Sequence, residues 1–197
     1  MIRTLAFAGA AALLVAAVAP ASAQYRPGPP PGGPSSQYRS GAAPEGPSDE
    51  FRNEDTQRFV ISAAQSDEFE RRAGRLAQSM GVSNRVREFG AMMVQDHTRT
   101  TQDLQAAIRR TNHTPPPPPP LRPDQQRMLD ELRGAARGFD FIYLRQQVQA
   151  HEEALNLMQT YASTGRNAVL RDAARQTAPL VRHHLEMAQR LQANVRR

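Results

Sequence analysis

The stretch from Ser83 to Arg110 constrains the fold most, because its apolar residues recur at the spacing of one helix face. Val86, Phe89, Met93, Thr100, Leu104, Ala107 and Ile108 fall on one side when successive residues turn by about 100°. His97 lies inside that stripe, one turn after Met93, and Asp96 lies at its edge. Polar side chains in a core-facing stripe are costly unless they find partners.

Three other stretches repeat the pattern, each with its own polar intruder. A first helix is predicted from about Asp55 to Met80, with Phe59, Ala63, Phe69, Ala73, Leu76, Ala77 and Met80 inward and Glu70 near the centre of the stripe. The Ser83 stretch forms a second helix that ends near Asn112. A third runs from about Phe139 to Ala162, and its broad apolar face holds Tyr143, Gln147, Leu157 and His151. A fourth runs from Asn167 to about Val195, with Leu170, Ala174, Val181, Leu185 and Leu191 inward. His184 sits in that stripe, His183 points away, and the interior Pro179 should bend the helix before His184. Gly81 and Gly165 suit helix ends, while Ser83 or Asn84 and Asn167 can cap the helices that follow. The first two helices should therefore form a tight hairpin.

The second and third helices are joined differently. Pro115 to Pro120 is an unbroken proline run, which forms a stiff polyproline II spacer of about 3.1 Å per residue. A short helix should follow from Pro123 to about Leu132, and Gly134 and Gly138 punctuate the rest. A connection of more than twenty residues is far above the usual length between adjacent helices and can run back along a bundle. The expected fold is all-α, a ferritin-like four-helix bundle with a long helix 2–helix 3 crossover.

Outside the helices, the N-terminus speaks to compartment. Arg3, the apolar run Leu5 to Val18 and Ala21-Ser22-Ala23 read as a signal peptide cleaved after Ala23, with Gln24 as the mature start. Residues 24–54 are rich in Pro, Gly and Ser and read as a disordered tail, leaving 55–197 as the folded domain. The mature chain is expected in a periplasm or secreted, without a transmembrane segment. All 25 basic residues are Arg, read as codon bias, and the net charge of +6 favours anionic envelope components as partners. Nucleic acid is not expected in that compartment. No Cys is present, so a thiolate metal site and a Cys nucleophile are excluded.

The inward polar residues are the candidate site: Glu70, Asp96, His97, His151 and His184. Counted from the hairpin turns at 1.5 Å per residue, they fall within about one turn of each other in each hairpin. Imidazole and carboxylate are ligand types for Zn, Fe or Mn. A ferritin-type di-iron site would need a second inward Glu and Glu-x-x-His pairs, which are missing. The sequence ranks a buried hydrogen-bond network that fixes helix register ahead of a metal site. No nucleophile or substrate pocket is visible, so enzymatic activity is not expected. The first function is then a non-enzymatic envelope or stress-related binding protein, and the alternative is a metal-binding protein.

These same residues carry a resemblance. Phe69-Glu70, Leu76-Ala77, Met93-Val94-Gln95-Asp96-His97, Phe139-Asp140, Tyr143, Gln147-Val148, His151, Tyr161-Ala162, Ala178-Pro179 and His184-Leu185 occur in the order seen in a bacterial exported family. The chain resembles domain of unknown function 4142 over about Phe59 to Leu191, with the proline run as a local departure. The resemblance implies a ferritin-like four-helix fold and an envelope location, and it implies no activity.

Overall fold

A computed structural model describes residues 51–195, and these are helical with no strand among them. The helices are α1 (Glu54–Met80), α2 (Asn84–Arg110), α3 (Pro123–Gly134), α4 (Phe139–Thr164) and α5 (Ala168–Ala193), with one 3₁₀ turn at Ala136–Gly138. The predicted boundaries agree within two residues at either end. The signal peptide, the cleavage point and nearly all of the predicted tail lie outside the described residues. Phe51, placed in the tail by composition, stacks on His113 with ring centroids 4.1 Å apart.

Capping follows the sequence. The side chains of Asn53, Ser83 and Asn167 accept backbone N–H bonds from Asp55, Val86 and Leu170 at the starts of α1, α2 and α5. Gly81 and Gly165 end their helices, but neither adopts a left-handed backbone (φ −57° in both). Space requires them instead: a Cβ on Gly81 would stand 2.5 Å from the carbonyl oxygen of Ala77, and one on Gly165 2.6 Å from that of Tyr161. The turn between α1 and α2 is tied to α4 as well. Both carboxylate oxygens of Asp140 accept backbone N–H groups, from Val82 at 2.7 Å and Ser83 at 2.8 Å.

α1 packs on α2 and α4, α5 packs on α2 and α4, and the short α3 lies against α1 and α4. α1 and α2 meet backbone to backbone at Gly74 and Gly90, where a Cβ on Gly74 would be 2.6 Å from the carbonyl oxygen of Gly90. The proline run borders a void of about 70 Å³ against Val60, Ala64, Leu104 and Ile108, and Gln65 Nε2 donates to the carbonyl of Pro120 at 2.8 Å. The spacer therefore rests on the α1–α2 face. α5 continues through Pro179 as one helix.

The core is in two parts. One cluster holds Phe59, Val60, Ile108, Met158, Tyr161 and Leu170, and the other holds Phe69, Phe89, Met93, Leu129, Phe139 and Tyr143. In α2, α4 and α5 the buried histidine falls between residues of one cluster and residues of the other; in α1 Asp67 does so, and Glu70 follows directly on Phe69 of the second cluster. A buried polar layer thus crosses the molecule between two apolar halves.

Candidate metal centre

Each long helix delivers its polar residue to this layer. His97, His151, His184 and Glu70 are all 3 % exposed or less. The three imidazoles form a triangle with ring centroids 5.4 to 5.6 Å apart. One ring nitrogen from each lies within 4.8 Å of one from each of the others.

The partners of each ring fix its tautomer. His97 Nδ1 lies 2.9 Å from Asp67 Oδ1, an oxygen that also accepts the Thr100 hydroxyl at 2.8 Å. The ring nitrogen must therefore be the donor. His151 Nδ1 donates to the backbone carbonyl of Gln147 at 2.8 Å, and His184 Nε2 donates to Asp96 Oδ2 at 2.9 Å. What remains is Nε2 of His97, Nε2 of His151 and Nδ1 of His184, and all three are buried without a hydrogen-bond partner among the described residues. In the neutral rings these atoms carry lone pairs and no hydrogen. Three acceptors cannot satisfy one another.

Glu70 stands beside the triangle. Gln147 Nε2 donates to its Oε2 at 2.6 Å, while Oε1 has no hydrogen-bond partner among the described residues and lies 3.8 Å from His151 Nδ1. Burial raises its pKa from an ordinary 4.5 to about 7, against the lowering effect of His97 and of the Gln147 bond. Burial also pushes His184 down to about 4, helped by the charge of His97 and opposed by Asp96. His151 is held well below its usual range by burial and by the other two rings. His97 moves the other way: burial lowers it, but the hydrogen bond and charge of Asp67, with Glu70 and Asp96, outweigh that. Two of the three rings are thereby kept neutral at pH 7, the form that binds a metal.

Of the five residues singled out from sequence, the three histidines converge. Asp96 sits behind His184, with its side chain 26 % exposed, and Glu70 sits beside His151. Asp67 escaped the sequence reading. It is 7 % exposed, bonds His97 and Thr100 through Oδ1, and takes the Thr101 hydroxyl at 3.0 Å on Oδ2. The spacing Ala63, Asp67, Glu70, Gly74 places it on the inward face of α1, and that periodicity was the available signal.

Carboxylate–histidine pairs turned toward a shared centre are the outer support that metal-binding imidazoles ordinarily have. An all-helical protein with a buried histidine cluster is thus the class that fold and site define. The chain belongs to the family described as domain of unknown function DUF4142, which it matches over residues 41–191. No curated protein and no solved structure matches it.

Proposed function

We propose that the protein binds one divalent transition-metal ion through Nε2 of His97, Nε2 of His151 and Nδ1 of His184. The observation that carries this reading is the set of three buried ring nitrogens, unpartnered among the described residues and acceptors when the rings are neutral. Leaving such a group unsatisfied costs about 1–3 kcal/mol. A cation among them relieves three at once, and the carboxylates of Asp67, Asp96 and Glu70 balance its charge. The hydrogen-bond network that the sequence ranks first is present in part, and it becomes the frame that aims the rings. Imidazole donors suit Zn, Cu, Fe or Ni, and the adjacent carboxylate extends the range toward Mn. The closed circuit of α1, α2, α5 and α4, with a long connection carrying the proline run, supports a ferritin-like four-helix arrangement with a crossover. The signal-like residues 1–23 support export to the envelope.

Thermal unfolding of chelator-treated, untagged protein tests the site. With Zn, Mn, Fe(II) or Cu(II) at one hundred times the dissociation constant, stabilisation by about 2.7 kcal/mol is expected for the cognate metal. The alanine variants of His97, His151 and His184 should each lose that gain. Asp67→Asn should keep the ligands and weaken binding by about 10- to 100-fold, because it removes the support of His97. A wild type indifferent to every metal would refute the reading.

A further inference from the structure

Beside the polar layer, a cleft of about 450 Å³ opens between α2 and α5, within the range of about 300–1,000 Å³ usual for small-molecule sites. Its floor is Phe59, Ala63 and Asp67 of α1 with Met158 of α4. The sequence creates this space with small side chains. Ala63, Ala106, Ala107, Ala173 and Ala174 line it on three helices, where larger residues would have closed it.

The lining is graded by polarity. Phe59, Leu104, Met158 and Leu180 give it an apolar body. The carboxylate of Asp67 at the floor is already engaged, since His97, Thr100 and Thr101 occupy its two oxygens. Two guanidinium groups also line the cleft. Arg99 lies 3.9 Å from Asp103, whereas Arg110 has neither hydrogen bond nor ion pair among the described residues. Asp103, Thr100, Gln176 and Thr177 also line the cleft, so polar and apolar groups share its walls. An exposed cation with no partner among the described residues, beside the apolar part of the cleft, fits a ligand with one anionic end and a hydrocarbon remainder. A guanidinium matches a carboxylate with two parallel hydrogen bonds.

We propose that this cleft binds a small amphipathic carboxylate, its hydrocarbon body along Phe59, Leu104, Met158 and Leu180 and its head group on Arg110. The site stands whether or not the histidines hold a metal. It also touches them: Asp67 forms part of the floor and aims His97, so occupancy of the cleft and orientation of that ring are linked through one side chain.

The test uses the full chain freed of metal by chelator, so that a failure of the metal reading does not decide it. Calorimetric titration compares decanoate, decanol and decylammonium, which share a hydrocarbon tail and differ in charge. Decanoate should bind one to one, decanol more weakly, and decylammonium not measurably. Arg110→Gln, at an exposed position, should weaken decanoate by about tenfold. Ala173→Leu, at a half-buried lining position, should fill the hollow and abolish binding while the thermal transition stays cooperative. Metal-loaded wild type should bind decanoate as well. The proposal is overturned by absence of decanoate binding, by equal binding of decylammonium, or by binding that neither substitution changes.

Discussion

Glu70 and His184 titrate in opposite senses within one buried layer, and pH separates their effects. Glu70 holds its proton up to about pH 7 when folded, against an ordinary 4.5. Its contribution to stability is therefore full below about pH 4.5 and lost as pH rises through 7. His184, lowered to about 4 in the fold, contributes above its ordinary 6.5 and loses that contribution as pH falls toward 4. In the metal-free protein the two trends largely cancel over the shared window. Replacing Glu70 by Gln removes one of them. The stability of Glu70→Gln relative to wild type should grow by about 3 kcal/mol between pH 4.5 and 7.5. Urea unfolding of both proteins across that range measures it, and a difference independent of pH would contradict the burial argument. The histidines and Glu70 were legible in the sequence because each interrupts an apolar stripe. The inward position of Asp67 was open to the same reading, since it shares a face with Ala63, Glu70 and Gly74; its partners Thr100, Thr101 and His97 were not, because one helix's pattern does not show what its neighbour offers.

At the level of elements, periodicity and capping residues sufficed for the long helices, since both are local properties. Gly81 and Gly165 were correctly placed at helix ends, and close packing, not a left-handed backbone, selects glycine there. The path of the proline run was not legible either; a rigid rod has no periodic apolar face to show which helices it will rest on. The connection holds one strained position. Ala136 has φ 43°, a conformation that L residues with a Cβ disfavour by about 1–2 kcal/mol. Asn112, at φ 62°, is the residue type that tolerates it. Ala136→Gly should therefore stabilise the protein by about 0.5–1 kcal/mol, after the larger loss of chain entropy that glycine brings. Denaturant midpoints with unchanged slopes would establish this, and a destabilised variant would show that Ala136 is relaxed.

On the scale of the whole molecule, the division of the core matters most. One apolar cluster is gathered around Phe59, Tyr161 and Leu170 and the other around Phe89, Phe139 and Tyr143, and the histidine layer lies between them. Helices ordinarily loosen from their tips inward, because terminal amides lack neighbours on one side. Here the tips are anchored in hydrocarbon, and the middle rests on polar contacts that a metal would complete. Hydrogen–deuterium exchange of the metal-free protein should therefore show its least protected helical amides near His97, His151 and His184, with slower exchange on both sides. Adding the cognate metal should slow exchange at that waist selectively. A uniform gradient from tips to centre would mean that the two halves already behave as one. The polar waist gives the molecule a joint at its own equator, so that a single ion could set how stiffly one end is coupled to the other.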